Sequence, residues 1–197
     1  MMQLQAKWDK HYAKQTQYND NGVSVVLTDH QFLLPRQGKA LDLACGTGGN
    51  ALFLAETGLA VDAWDISAIA LNILQSEAQN RLLNINTRQC LITSEILCSE
   101  RYDVIVISRF LDRALCNAIM AALNVDGLLF YQTFNCSKLD EKGPNNPDYL
   151  LASNELLRLF APLTLIFYQE YARTGNLQCG NRNMAYFIGQ KLFSEQN

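Results

Sequence analysis

Long apolar runs are missing from this chain of 197 residues. No stretch approaches the ~18 residues of a membrane span, and the opening MMQLQAKWDK has no hydrophobic signal core. A cytoplasmic location without membrane contact is the expectation. Metal-binding patterns are missing too. The six cysteines (45, 90, 98, 116, 136, 179) form no C-x-x-C pair, and neither histidine stands at ligand spacing to them. No metal is expected, and the cysteines read as reduced thiols, several inside strands or helices, where they behave as small apolar residues. Charge is scarce: 18% of residues are charged, against ~25% ordinarily, while 49% are hydrophobic. That balance describes a compact globule rather than a disordered chain. A net charge of −3 gives no positive field to recruit nucleic acid, which argues against such a partner. Repeats, low-complexity tracts and interdomain linkers are absent, so residues 1–197 read as one domain.

What is present is concentrated between residues 39 and 67. KALDLACGTGGN (39–50) runs an apolar strand into a Gly-rich turn, and VDAWDIS (61–67) is a second apolar strand ending on Asp65. This is the first β-α-β unit of an adenosine-binding α/β domain. Gly46 and Gly48 allow a sharp turn and leave no Cβ between main chain and ligand. Asp65 can accept hydrogen bonds from both hydroxyls of a ribose. Two ligands fit. GTGGNA satisfies G-x-G-x-x-A, and Asp65 follows Gly46 by 19 residues, close to the ~20 of a dinucleotide site. The other is S-adenosylmethionine, whose ammonium would be held by carbonyls and an acid beside the turn, here Asp42. A hydride-transfer enzyme needs further chemistry such as a Tyr-x-x-x-Lys relay, and no tyrosine here has lysine four residues on.

Along the chain, Leu4, Trp8, His11 and Tyr12 share a face at helical spacing, predicting an amphipathic helix over 4–15. Trp8 and Tyr12 there suit either core docking or a lid. A second short helix over 28–35 would stop at Pro35. Strands are expected at 39–44, 60–65, 85–91, 103–108, 127–134, 163–171 and 184–192. Helices are expected at 49–58, at 67–81 with Ser67 as N-cap, from Asp112 through Leu123, and from Ser153 to near Pro162. Asn124–Gly127 reads as a turn. The loop 135–150 is the longest irregular segment and hence a candidate functional wall. A Gly/Asn-bearing loop joins the last two strands, which therefore pair antiparallel, whereas a dinucleotide domain adds another parallel strand. The expected fold is α/β: a single Rossmann-like, doubly wound, seven-stranded sheet, mostly parallel with a C-terminal antiparallel strand. A helical cap (1–35) precedes the core (39–192).

The whole pattern resembles the class I S-adenosylmethionine-dependent methyltransferases, in particular a small bacterial tellurite-resistance-type group. The resemblance covers about residues 8–192. It rests on WDKHYA, ALDLACGTGGNALFLA, VDAWDIS, YDVIVISRFLDR, GLLFYQTF, and GPNNPDYLL with NELLRLF, in that order. It implies S-adenosylmethionine as cofactor and a small-molecule methyl acceptor. Ala44, Cys45, Gly46, Gly48 and Asn50 would form the turn beneath the methionine part, with Asp42 orienting its ammonium. Asp65 would hold the ribose, and Ile66 would lie against adenine. Many relatives carry an acid after the third strand for the adenine amino group; here Cys90 and Leu91 stand at that place. Ser108 would sit near the sulfonium. Arg109, Arg113, Phe134 and Arg182 are candidates for the acceptor pocket, the arginines suiting an anion. His11 and His30 show no partner pattern of a catalytic base, and no catalytic residue is assigned. A non-catalytic nucleoside-binding regulator is the alternative of another class, and a nicotinamide-binding Rossmann protein a further one.

Overall fold

The computed structural model describes residues 2–14 and 22–193. Two short helices open the chain, α1 (Met2–Tyr12) and α2 (Val25–Asp29). The alternating part follows: β1 (Lys39–Leu43), α3 (Gly49–Glu56), β2 (Ala60–Asp65), α4 (Ala68–Asn80), β3 (Ile85–Gln89), α5 (Ser94–Cys98) and β4 (Tyr102–Ser108). After these come α6 (Cys116–Ala122), β5 (Leu123–Phe134), α7 (Glu155–Leu159), β6 (Thr164–Gln169) and β7 (Met184–Gln190). The seven strands form one sheet in the order β3-β2-β1-β4-β5-β7-β6. β7 runs antiparallel to both β5 and β6, and the remaining pairs are parallel. The expected class is the observed one.

Alternation along the strands explains the two cores. Leu41, Leu43, Ile105, Ile107, Tyr131 and Phe187 point to the face covered by α5, α6 and α7. Ala40, Val104, Val106, Phe130 and Ile188 point to the face covered by α2, α3 and α4. A continuous apolar run such as DVIVIS is what burial on both faces requires. Strand order reverses between β1 and β4, and ligands of open α/β sheets bind outside the strand C-termini at that point.

Several boundaries differ from the sequence reading. α1 ends at Tyr12, and residues 15–21 of the expected N-terminal segment lie outside the described residues. The helix expected at 28–35 begins earlier, at Val25, because Val26 and Leu27 bury completely against β5 and β7; only a 3-10 turn, Gln31–Leu33, precedes Pro35. Asp112 does cap, accepting from the Ala114 N–H at 3.0 Å, but it opens a 3-10 turn before α6. The 124–127 turn is a bulge inside β5: pairing with β4 jumps from Tyr102–Leu123 to Val104–Leu128, and Asp126 takes φ 64°.

Candidate functional site

The glycine turn is built at the ends of β1 and β2. Gly46 (φ 55°) and Gly48 (φ 80°) both take left-handed conformations. So does Ala44 (φ 57°), where an L side chain costs about 1–2 kcal/mol. Arg109, at the end of the neighbouring β4, repeats that strain with φ 56°. Two strained non-glycine residues thus flank the point where strand order reverses. Strain of this kind persists only where the surroundings enforce it.

Carboxylates do the enforcing. Asp65 is 6% exposed; its Oδ2 accepts from the Gly46 N–H and its Oδ1 from the Ser67 N–H, each at 2.8 Å. It therefore ties the glycine turn to the end of β2 while keeping acceptor capacity for ribose hydroxyls. Asp42 accepts from the Ala51 N–H at 3.0 Å, serving an otherwise orphaned donor in the first turn of α3. Asn50 is a bridge: its amide donates to Asp42 Oδ1 at 3.4 Å and its Oδ1 accepts from the Ser24 N–H at 2.8 Å. Burial pushes the Asp42 carboxyl up to about 7, against the pull of Asn50 and Ala51 and with help from Asp65. Burial also raises Asp65, although N–H groups of Ser67, Gly46 and Ile66 hold it back. Such a pair gains from a cation and loses from added negative charge. The sulfonium and ammonium of S-adenosylmethionine fit it; a pyrophosphate set against it would meet two more anions.

α1 lies over this turn. Asp9 Oδ1 accepts from the Ser67 hydroxyl at 2.6 Å, which fixes the helix to the start of α4. The Tyr12 hydroxyl sits so close above Gly46 that a Cβ there would stand 2.6 Å from it. Burial, then the charges of Asp65, Cys45 and Asp42, push the Tyr12 phenol upward. No residue of α1 is buried, so the helix covers the turn rather than contributing core. Trp8 stacks on Tyr12, ring centroids 6.1 Å apart, as part of that cover.

On the side expected for adenine, Ile66 and Cys90 are half-buried. The Cys90 N–H donates to the Asp65 carbonyl at 2.9 Å, setting it beside that acid. β3 stops at Gln89, so Leu91 lies beyond the sheet, 40% exposed. Cys45 is half-buried, its N–H bound to the Trp64 carbonyl at 3.0 Å.

Across the reversal point, Ser108 ends β4 half-buried, and the Arg109 N–H donates to the Gln132 carbonyl at 2.9 Å. The Arg109 side chain is exposed, and no hydrogen bond or ion pair joins it to a described residue. The other two arginines among the acceptor-pocket candidates are engaged by neighbouring loops. Arg113 forks onto Glu155 (2.7 and 3.0 Å) and donates to the carbonyls of Asp148 and Leu150, clamping the end of loop 135–150. Arg182 is 8% exposed, and its donors reach the carbonyls of Cys179, Tyr171, Ala172, Thr174 and Asn176. An arginine enclosed by carbonyls organises a loop. Phe134 is buried at the end of β5 with Gly143 packed directly over its ring. His30 turns Nδ1 to the Val26 carbonyl (3.1 Å) and packs on Phe167, while His11 packs on Trp8 and Tyr12.

The sequence reading passed over Asp9, Gln132 and Tyr186. Gln132 had a visible signal, an amide within GLLFYQTF; it is buried and accepts from the Val26 N–H at 3.1 Å. A separate cleft of about 460 Å³, bounded by Gly38, Asp103, Asp126 and Gln190, lies at the opposite end of the strands. It plays no part in this site.

Solved structures share this arrangement. TehB from Haemophilus influenzae superposes with a TM-score of 0.70 at 24% identity, covering 93% of this chain and 67% of that one. An S-adenosylmethionine-dependent methyltransferase from Clostridium acetobutylicum gives 0.66 at 12% identity, covering 97% and 98%. A protein whose structure is described as converting a disulfide bond into a thioacetal group during echinomycin biosynthesis gives 0.70 at 19%, covering 97% and 94%. The fold is thus the Rossmann-like fold of S-adenosylmethionine-dependent methyltransferases. The family is narrower: the model of the tellurite resistance protein TehB matches residues 5–136, about two thirds of the chain, and the chain belongs to that family. No curated protein matches the sequence.

Proposed function

We propose that the chain transfers the methyl group of S-adenosylmethionine to a small anionic acceptor that approaches over Arg109. By family and fold it is an S-adenosylmethionine-dependent methyltransferase. The donor supplies a methyl carbon on a positively charged sulfur. The protein's share is positioning: Asp65 and the Gly46 turn fix the nucleoside end, Asp42 braces the turn against α3, and Tyr12 closes it from above.

One observation carries the acceptor reading. Arg109 is cationic, exposed, strained and without a described side-chain partner, and its charge is felt both by Tyr12 over the donor turn and by Tyr186 beyond it. It therefore lies within electrostatic range of both tyrosines, at the end of β4 where strand order reverses. An oxyanion such as tellurite or selenite offers its lone pair without first losing a proton, so no general base is required for it.

The test is methyl transfer from labelled donor to tellurite, selenite and mercaptoacetate, with neutral 2-mercaptoethanol for comparison. Tellurite leads the panel because of the family's name. The expected result is a methylated product from at least one anion. Arg109→Gln should lower kcat/KM for that anion at least about tenfold, a loss of ~1.4 kcal/mol, and leave affinity for S-adenosylhomocysteine within about threefold. Methylation of 2-mercaptoethanol alone would remove the anionic acceptor. Tight donor binding without turnover of any probe would favour a regulatory module.

A further inference from the structure

The sheet carries a row of polar side chains that the donor site does not use. Register pairs Ser108 with Gln132, Gln132 with Tyr186, and Tyr186 with Gln169, across β4, β5, β7 and β6. Paired positions share a face, and here it is the face beneath α2 and α3. Apolar rows flank it: Val106, Phe130, Ile188 and Phe167 on one side, Phe134 and Met184 on the other. A polar row set between two apolar ones, at the C-terminal edge of β4, asks for a polar occupant.

Within that row the groups differ in how they are served. Gln132 is taken up by α2 through the Val26 N–H, and its amide nitrogen lies 3.8 Å from the Met184 sulfur. Tyr186 is not served. It is 3% exposed, and its buried hydroxyl has no hydrogen-bond partner among the described residues. Burial, then the charges of Asp29 and Tyr171, push the phenol up to about 12, while Arg109 pulls it down. It is therefore a protonated donor at neutral pH, within electrostatic reach of the Arg109 guanidinium. The carboxylate of Asp29, exposed at the end of α2, and the phenol of Tyr171 border it from the other elements.

We infer that Tyr186 anchors the methyl acceptor, donating its phenolic hydrogen to an oxygen of a small oxyanion or carboxylate whose charge is met by Arg109. The inference rests on the methyltransferase reading and adds to it the group that selects the acceptor. Two donors, one neutral on β7 and one cationic just past the end of β4, fix an oxygen-bearing anion in orientation as well as place. In the transfer, the acceptor's lone pair forms the bond to the methyl carbon and the carbon–sulfur pair returns to sulfur. With an oxyanion such as selenite, one negative charge of the acceptor and the charge on sulfur cancel and no proton moves; with mercaptoacetate the thiol takes the methyl group, its proton leaves to solvent water, and the carboxylate keeps its charge. Tyr186 thus holds the acceptor without acting as a base, which its raised phenol could not do at neutral pH.

Tyr186→Phe tests this, since it removes one oxygen and keeps the ring in the core. Inorganic selenite and mercaptoacetate are titrated into the complex with S-adenosylhomocysteine, and turnover is followed with the same anions. The expected result is affinity for S-adenosylhomocysteine within twofold of wild type, an unchanged or higher Tm, and Kd or KM for the anions raised at least tenfold. kcat at saturating anion should stay within about threefold, because the bond is made to the acceptor and not to the donor. Unchanged anion Kd and KM in the variant, with Arg109→Gln still weakening both, would overturn the role of Tyr186 while leaving the anionic-acceptor reading intact. A lowered Tm with unchanged anion binding would make the hydroxyl structural and also overturn it. If no anion binds to the wild-type complex or is methylated, the reading beneath it fails and this inference with it.

Discussion

The two ends of the binding cleft are held by opposite chemistry. At the donor end, buried carboxylates grip backbone N–H groups: Asp65 takes Gly46 and Ser67, and Asp42 takes Ala51. At the proposed acceptor wall, arginines grip backbone carbonyls: Arg182 gathers those of residues 171–179, and Arg113 those of Asp148 and Leu150. A carboxylate on N–H groups braces a tight turn and leaves negative potential for a cationic ligand. A guanidinium on carbonyls folds an irregular loop and spends its own donors doing so. Cations by themselves therefore do not mark the acceptor site. Arg109 stands out as the cation there with no described side-chain partner.

Asp65→Ala should break the donor end most severely. It removes the acceptor for two backbone donors as well as any ribose contact, and charge-assisted bonds are worth ~1.5–3 kcal/mol each. Affinity for S-adenosylhomocysteine should fall at least about a hundredfold, and calorimetry measures it. Hydrogen exchange at Gly46 and Ser67 should quicken. A folded variant with unchanged affinity would show that the brace and the ribose lie elsewhere.

The next effect is smaller and depends on pH. Asp42 binds its proton more tightly folded than unfolded, since burial raises its carboxyl to about 7. Its contribution to stability is therefore full below the ordinary carboxylate value and is lost as pH rises through about 7. A cationic donor prefers the ionised form, so donor affinity should run the other way. Between pH 6 and 8 it should tighten up to about tenfold, a linkage of ~1.4 kcal/mol, with protons released on binding. Asp42→Asn should flatten that profile. A flat profile in the wild type would mean that Asp42 is already ionised or is remote from the ligand charge.

The donor end was legible in the sequence because its parts are local and tied to strand periodicity. The glycines, Asp42 and Asp65 all fall at a strand end or in the turn that follows. The proposed acceptor wall was not legible in the same way. The engagement of Arg182 left no residue-type signal because its partners are main-chain carbonyls, and that of Arg113 because Glu155 and the carbonyls of Asp148 and Leu150 lie 35 to 42 residues along the chain. Tyr186 stayed hidden because the polar row exists only once β4, β5, β7 and β6 are set in register, and β6 is itself offset by a bulge between Leu165 and Phe167. The cover formed by α1 was half legible: Trp8 and Tyr12 share a face, yet that face meets the glycine turn rather than a core.

The contrast between the ends predicts one deliberately small effect. Residues 140–147 are exposed or half-buried, pack Gly143 over Phe134, and bind Lys138 Nζ through the Lys142 carbonyl and Asn145 Oδ1. None of these contacts reaches Asp42, Asp65 or the glycine turn. Replacing 140–147 with a short Gly/Ser linker should leave affinity for S-adenosylhomocysteine within about threefold, under ~0.7 kcal/mol. Turnover of an anionic acceptor should fall steeply, because the Phe134 ring loses its cover and the wall its shape. A donor affinity that fell as far as in Asp65→Ala would mean that the two ends act as one unit, with the arginine-tied loops bracing the carboxylate-tied turn. Unchanged turnover would take the loop out of the acceptor pocket and leave the β4 edge, with Arg109 and the row behind it, to form that pocket without it.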